Sequence, residues 1–274
     1  MKKNSFFASA ARAASSFYEI PERLRYTRSY AVARRLRRNY YVKNWLGRRR
    51  NKKLVEQSRV SANKIVRNKK PLVSVLICTY NKSRELTERA IPSVLRQTYD
   101  NFEIIVVGDH CTDDTAQQLA RFNDDRIHFC NIPQRGEYPS SPRDMWLVAG
   151  TVPRNKAIEL CSGEWITPLD DDDEFTKDHI EVLLNCALKN DYEFVYGIVK
   201  MIWEETRVEL VGSYPLAVNC IAHLSVLYDA KLKFFTYDTE AWKYKEAADW
   251  NLWRRMKEAG VRIGFLDQLV GIHY

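Results

Sequence analysis

Residues 164–175 read EWITPLDDDDEF, in which a short apolar run leads directly into four consecutive aspartates at 170–173. A helical pattern, HIEVLLNCALK, follows at 179–189. A buried strand, a polar turn and a helix in this order are typical of α/β proteins. The stretch therefore predicts that the aspartates lie at the carboxyl end of a strand, the edge at which open α/β sheets bind ligands.

The same alternation of apolar runs and helical patterns extends outward from this stretch. The runs VSVLI and EIIVV are apolar on both faces, as expected where helices cover both sides of a parallel sheet. We predict an α/β fold with a mostly parallel, twisted sheet flanked by helices, and a long ordered loop at 133–153, which is rich in Pro and Gly. The predicted strands are at 72–79, 102–108, 126–131, 164–169, 193–200 and 261–266.

Charge divides the 274 residues into two parts. Residues 1–70 hold 21 of the 43 Lys and Arg residues and three acids, a net charge of +18, whereas the rest of the chain carries −10. We predict a basic, helical N-terminal extension at 1–70 and a second domain at 71–274. Basic residues interleaved with aromatics at 22–53 suit an anionic membrane surface or nucleic acid, and a solvated or oligomerising helix is the alternative.

Composition excludes several classes of protein. A chain with 45% hydrophobic residues can bury a core, which excludes disorder throughout. Six scattered cysteines without zinc spacing indicate reduced thiols in the cytoplasm. No apolar run reaches the roughly 18 residues that a bilayer span needs. The Arg- and Ser-rich start is too weakly apolar for a secretory signal, and an organelle transit peptide is the alternative.

The four aspartates are the strongest chemical signal. Adjacent carboxylates repel one another, and a divalent cation resolves that conflict. Their hard oxygen atoms suit Mg²⁺ or Mn²⁺, which in turn can hold a diphosphate. A solvated acidic turn that caps the next helix is the structural alternative. A calcium-binding loop fits less well, because Phe175 stands where such a loop needs Gly.

Two other strands also end in polar residues. Asp109 follows EIIVVG, where it can accept a hydrogen bond from a base or a ribose. CTYN at 78–81 closes the first strand, and Tyr80 suits either a planar base or the core. Because the carboxyl ends of parallel strands share one edge, these positions indicate a nucleotide site beside the aspartates.

The order of these motifs resembles the family-2 glycosyltransferases of the GT-A fold. The stretches that carry the resemblance are LVSVLICTYNK at 72–82, SVLRQTYDNFEIIVVGDHCTDDT at 93–115 and PRNKAIELCSGEWITPLDDDDEF at 153–175. The resemblance covers residues 71–274 and implies that this part is a GT-A catalytic domain. It implies inverting transfer of a sugar from a nucleotide-sugar, usually a UDP-sugar, to a saccharide or lipid-linked hydroxyl, with Mn²⁺ or Mg²⁺ on the diphosphate.

The resemblance also implies which residues hold the donor. Cys78, Tyr80 and Asp109 would line the nucleoside pocket, and Arg154 would lie near the base or the phosphates. The sequence departs from the family at Gly108, where many members have an acid, and at Cys78, where many have a hydroxyl residue.

The metal ligands are implied in the same way. Asp170 and Asp172 match the first and last acids of the family's DxD motif, so both are expected at the metal. Asp171 lies between them and is expected to reach the ribose. His273 corresponds to a histidine that completes the metal shell in some related enzymes, and a satisfied structural histidine is the alternative.

The catalytic base implied by the resemblance is Asp249, in AADWNLWRRMKEAG. A carboxylate there would remove the proton from the acceptor hydroxyl while the metal stabilises the leaving diphosphate. Glu246 is the rival base, and an acid that only favours the helix dipole is the structural alternative.

Two other functions remain open on the sequence. A nucleotidyltransferase would share the broad architecture, but CTYNKSRE lacks the expected Gly-rich phosphate loop. A nucleic-acid-binding protein would use the basic extension. For the glycosyltransferase, binding of the extension to an anionic membrane is the favoured role, which predicts a cytoplasmic protein at the inner face of a membrane.

Overall fold

One mixed sheet organises the chain from Val73 onward in the computed structural model, which describes residues 28–62, 68–203 and 207–274. Nine strands join it within this described part. The strands are β1 (Val73–Thr79), β2 (Phe102–Gly108), β3 (Ile127–Asn131), β4 (Trp165–Asp170), β5 (Glu174–Phe175), β6 (Phe194–Trp203), β7 (Arg207–Val211), β8 (Val226–Asp229) and β9 (Ile263–His273).

The strand order is β3-β2-β1-β4-β8-β6-β9-β5, with β7 beside β6. Strands β3, β2, β1 and β4 are parallel, whereas β8 runs antiparallel to both β4 and β6. Strand β9 is parallel to β6, and β7 and β5 add antiparallel pairs. The α/β class is confirmed, and the parallel region is the one that carries the predicted ligand edge.

Helices cover this sheet on both faces because the central strands are apolar on both sides. In β1, Val73, Val75 and Ile77 face one buried cluster and Leu76 faces the other. The helices are α1 (Arg28–Ala62), α2 (Ser83–Glu85), α3 (Ile91–Leu95), α4 (Thr115–Ala120), α5 (Pro142–Val148), α6 (Thr151–Leu160), α7 (His179–Asn190) and α8 (Ala248–Glu258). A π-helical turn at Leu86–Ala90 joins α2 to α3, and 3₁₀ turns lie at His223–Ser225, Ala230–Leu232 and Ala241–Tyr244.

The predicted loop at 133–153 is wrong in its second half, where α5 and the start of α6 are found. Pro142 stands at the first turn of α5, a position at which its fixed φ favours a helix and its missing N–H costs nothing. Gly150 adopts φ +73° between the two helices. Pro142 begins a helix here and Gly150 separates two helices. A count of Pro and Gly residues alone cannot tell this arrangement from a loop.

Helix α1 crosses the boundary between two compact units, of which the larger is Gly47–Tyr274. In that unit Val55 is fully buried, and Arg59 makes two hydrogen bonds to Glu193, at 2.9 and 2.6 Å. Of the predicted extension, residues 1–27 and 63–67 lie outside the described residues. The predicted division between residues 70 and 71 stays a prediction.

We expect Glu193→Ala to lower the free energy of unfolding by about 3 kcal/mol, because it removes the buried carboxylate that pairs with Arg59 and Lys231 and leaves Lys231 with Asp229 alone. The fully buried carboxylate contacts Arg59 and Lys231, and although burial opposes them, these contacts lower its pKa to about 2. Its contribution should therefore be complete above pH 4.5 and should be lost as the pH falls towards 2. Urea unfolding across this range measures both effects.

Asp191→Asn is the matched control, because the Asp191 side chain is 74% exposed beside Arg262. We expect a change under about 0.5 kcal/mol. Equal decreases in the free energy of unfolding of the two variants would contradict a special role for Glu193.

Candidate active site

The carboxyl edge of the parallel strands brings three predicted residues together. Cys78 of β1 is in register with Asp170 of β4, and the N–H of Asp109, after β2, donates to the carbonyl of Thr79 at 2.8 Å. Burial raises the pKa of the Cys78 thiol far above its ordinary value. Cys78 therefore contributes an uncharged, apolar wall at this edge.

Asp109 is held by the segment that follows β3. Its side chain accepts hydrogen bonds from the N–H of Gly136 at 2.9 Å and from the hydroxyl of Tyr138 at 2.8 Å. Arg135 lies 3.9 Å from the same carboxylate, and its guanidinium lies 3.6 Å from the centre of the Tyr80 ring. Tyr80 is 40% exposed, so this ring offers a stacking surface at the edge of the site.

Asp170 lies at the end of β4 between two donors. Nη2 of Arg154, on α6, donates to Oδ1 at 2.7 Å, and Nδ1 of His223 lies 3.2 Å from Oδ2. Although burial opposes it, hydrogen bonds from His223 and Arg154, together with the positive charge of Arg154, hold the pKa of Asp170 well below its ordinary value. Asp170 is therefore a fixed anion in the site.

Asp171 and Asp172 face Lys82, which follows β1. Nζ of Lys82 lies 2.5 Å from Oδ2 of Asp172 and 3.5 Å from Oδ1 of Asp171. Arg89 donates to the backbone carbonyl of Asp172 at 2.5 Å. Burial raises the pKa of Asp171 to about 6, despite Lys82. Two cationic side chains thus surround the middle of the acidic turn.

His273 reaches the same turn from the end of β9. Its Nδ1 lies 2.9 Å from the carboxylate of Asp173, which is fully buried and also accepts the N–H of Tyr274 at 3.2 Å. Although burial opposes it, Asp173 raises the pKa of His273 above its ordinary value. The structure thus brings His273 to the acidic turn through Asp173, and its predicted role as a metal ligand stays a prediction.

Asp249 lies in the first turn of α8, with Oδ1 accepting the N–H of Trp250 at 2.6 Å. Burial raises the pKa of Tyr237 far above its ordinary value, and the negative charges of Asp249 and Asp170 act in the same direction. Tyr237 thus lies within the electrostatic reach of both carboxylates.

Glu246, the rival base, is held by other groups. Nε and Nη2 of Arg254 donate to its two carboxylate oxygens at 2.6 and 2.9 Å, and Nδ2 of Asn251 donates at 2.7 Å. A carboxylate with these partners stabilises the start of α8 through hydrogen bonds and is poorly suited to take up a proton. The arrangement favours Asp249 of the two acids.

Several residues of this site were not predicted from the sequence. Lys82 follows CTYN directly, and a positive charge next to a strand end that is predicted to bind a nucleotide could have marked it as a candidate phosphate-binding residue. The others come from segments without a recognisable motif; they are Arg89, Arg135, Tyr138, His223 and Tyr237.

No three His, Cys, Asp or Glu side chains of the described residues converge where they could hold a metal ion by themselves. The carboxylates of the acidic turn are instead paired with Lys82, Arg154 and the two histidines His223 and His273. A divalent ion here would need oxygen atoms from a bound diphosphate to complete its shell, which is the usual way in which Mg²⁺ is held with substrate phosphates.

Comparison with known protein families points to one group. The sequence profile described as Glycosyl transferase family 2 matches residues 74–141 and 151–237. WcaA of Escherichia coli K12, a putative colanic acid biosynthesis glycosyl transferase, is 40% identical over 200 residues, which cover 68% of this chain and 66% of WcaA. WfgD of Escherichia coli, a UDP-Glc:α-D-GlcNAc-diphosphoundecaprenol β-1,3-glucosyltransferase, is 30% identical over 162 residues, 59% of this chain and 55% of WfgD. The chain thus matches between about half and two thirds of the length of these relatives.

Two solved structures share the fold. S. aureus TarS 1–349 in complex with UDP aligns with a TM-score of 0.58 at 20% identity, over 73% of this chain and 59% of that one. The mannosyltransferase PcManGT from Pyrobaculum calidifontis, in complex with GDP-Man and Mn²⁺, aligns with a TM-score of 0.56 at 15% identity, over 89% and 68%. At these identities the likeness shows a common GT-A-like α/β fold. Among the described helices, none has the length and apolar character of a membrane span.

Proposed function

Because this chain belongs to glycosyl transferase family 2, we propose that it transfers a sugar from a nucleotide-sugar to an acceptor hydroxyl with inversion at the anomeric carbon. The observation that carries the proposal is the anion Asp170, fixed by Arg154 at the sheet edge that also holds Tyr80 and Asp109. This is the edge at which α/β sheets bind nucleotides.

For the donor we propose a UDP-sugar. Tyr80 offers a ring for the base, Asp109 an acceptor for a base or ribose donor, and Cys78 an apolar wall. The name of WfgD and the UDP bound in TarS support the choice of UDP. Arg154 and Lys82 supply positive charge for the two phosphates.

For Asp170 and Asp171 we propose contacts with the nucleotide. Both oxygens of Asp170 are already engaged, by Arg154 and by His223, which favours a contact with the nucleotide over metal ligation. Asp171 is nearly buried beside Lys82, and we assign it to the ribose.

For a divalent cation the residues present are a good fit. Asp172 is 30% exposed, and its carboxylate is neutralised by the flexible ammonium of Lys82, which a divalent ion can replace. Asp173 accepts the Nδ1–H of His273, the arrangement in which carboxylates orient histidine ligands, so we propose Asp172 and His273 as ligands of Mn²⁺ or Mg²⁺. When bound, such an ion would stabilise the negative charge of the leaving diphosphate.

For the chemical step we propose Asp249 as the general base. Oδ1 accepts the N–H of Trp250, and we assign the other carboxylate oxygen to the proton of the acceptor hydroxyl. As that proton passes to Asp249, the acceptor oxygen bonds to the anomeric carbon and the bond to the diphosphate breaks with its electron pair. A single displacement of this kind inverts the anomeric centre.

For the acceptor we propose a saccharide, carried on a lipid. The name of WfgD, whose acceptor is a diphosphoundecaprenol-linked sugar, supports this class. We also propose that residues 1–70 hold the protein at the cytoplasmic face of an anionic membrane. In the described part of this extension, Trp45 and Leu46 are more than half exposed, next to exposed basic residues at 48–50.

A thermal-shift screen tests the donor proposal. We expect UDP or a UDP-sugar with Mn²⁺ to stabilise the protein by about 2.7 kcal/mol at a hundred times its dissociation constant. The same nucleotide with EDTA should give a much smaller shift. Stabilisation by GDP or TDP alone would change the base that we assign, and no shift with any nucleotide would contradict a nucleotide-sugar transferase.

A further inference from the structure

A chain of contacts runs from Asp170 through His223 to Tyr237. Nδ1 of His223 lies 3.2 Å from Oδ2 of Asp170, and Nε2 lies 2.9 Å from the hydroxyl oxygen of Tyr237. With the Nδ1–H donating to the carboxylate, Nε2 accepts the Tyr237 O–H, so every polar atom of the imidazole has a partner. His223 is 9% exposed and Tyr237 is 4% exposed, which keeps water from replacing these bonds.

Both aromatic residues are fixed to the helices that carry the proposed functional groups. The Asn155 side chain, next to Arg154 on α6, donates to the carbonyl of Tyr237 at 3.0 Å and accepts its N–H at 2.8 Å. The His223 ring stacks on Trp253 of α8, with the ring centres 6.5 Å apart and 27° between the planes. The network therefore joins β4, α6 and α8.

We propose that His223 and Tyr237 are positioning residues, which set the orientation of the Asp170 carboxylate that the nucleotide-sugar meets and tie it to α8. This inference rests on the proposed function. Arg154 holds Oδ1 of Asp170, and His223 holds Oδ2. Without His223 one oxygen of a half-buried anion loses its partner, and the carboxylate turns towards another donor.

Two substitutions of His223 separate the contact with Asp170 from the contact with Tyr237. Asn can present an amide N–H near the position of Nδ1, whereas Gln reaches the position of Nε2. We expect His223→Gln to raise the dissociation constant for UDP with Mn²⁺ about tenfold, and His223→Asn to stay within about twofold of the wild type. The donor KM should follow the dissociation constant, with kcat changed less than about threefold.

Tyr237→Phe tests the far end of the network. It removes only the hydroxyl that His223 contacts, so we expect a smaller rise in the UDP dissociation constant, about twofold, as for His223→Asn. Tyr196→Phe is the matched control, because it removes a buried hydroxyl that donates to the Ser213 carbonyl at 2.7 Å elsewhere in the fold. The control should lower the melting temperature and leave the dissociation constant unchanged.

Isothermal titration calorimetry with UDP and Mn²⁺ gives these constants for each folded variant. Equal affinities in His223→Gln, His223→Asn and the wild type, with lower melting temperatures only, would overturn the positioning role. Equal losses of UDP affinity in His223→Gln and His223→Asn would overturn it too, because they would mean that only the packing of the imidazole ring matters. If the wild type itself bound no nucleotide, the proposed function would fail and the positioning role with it.

Discussion

Asp249→Asn is expected to lower sugar transfer by at least about a hundredfold, because a positioned general base contributes about 10²- to 10⁴-fold. The amide keeps the size of the side chain, and its oxygen can still accept the N–H of Trp250, so α8 should begin as before. UDP binding and the melting temperature should therefore match those of the wild type. Release of UDP in the presence of acceptor, measured beside UDP affinity, separates the two effects.

Glu246→Gln is the comparison that identifies the base. Glu246 is bound by Arg254 and Asn251, so its substitution should weaken the start of α8 and lower the melting temperature. Sugar transfer by the folded fraction should change less than about fivefold, since a residue that only stabilises α8 affects the chemical step indirectly. The opposite order, with Glu246→Gln inactive and Asp249→Asn active, would exchange the two roles.

The central strands could be predicted from sequence because they are apolar on both faces. VSVLI and EIIVV have the signature of a parallel sheet covered by helices, and their bounds agree with β1 and β2. Strand β7, RVELV, was not predicted, because it is short and its apolar residues Val208 and Leu210 are exposed and do not mark a buried face. The predicted strand ended at residue 266, because Asp267 and Gln268 interrupt the apolar pattern. In the structure β9 continues to His273, with a shift in its pairing with β6 at that point.

The positions of the carboxylates in the candidate site could be predicted because strand ends fix where they lie. Asp109 and Asp170 follow apolar strands whose neighbours follow from the parallel order. Their partners could not be predicted in the same way, since His223 is 53 residues beyond Asp170 and Gly136 is 27 beyond Asp109. Only tertiary packing brings such pairs together, and the local sequence pattern does not predict these contacts.

The Asp172→Asn substitution has the second large effect that we expect. It removes a negative charge at the proposed metal ligand, so Mn²⁺ should no longer strengthen UDP binding, and sugar transfer should fall at least about a hundredfold. The Lys82 ammonium lies 2.5 Å from Asp172 and 3.5 Å from Asp171, so it would lose the closer of its two ion-pair partners and could then meet the diphosphate. Residual UDP binding in the variant should therefore persist and should be insensitive to EDTA, unlike that of the wild type.

Asp178→Asn is the matched control for charge near the same turn. Asp178 accepts a hydrogen bond from Gln268 at 3.0 Å, away from Lys82, and its loss should leave the Mn²⁺ dependence of UDP binding unchanged. Calorimetric titrations of UDP at several Mn²⁺ concentrations compare the wild type and both variants. Since Lys82 neutralises Asp172 before any ligand arrives, the wild-type affinity should rise with Mn²⁺ until the ion has replaced the ammonium. A Mn²⁺ dependence that survives in Asp172→Asn would move the metal away from this carboxylate.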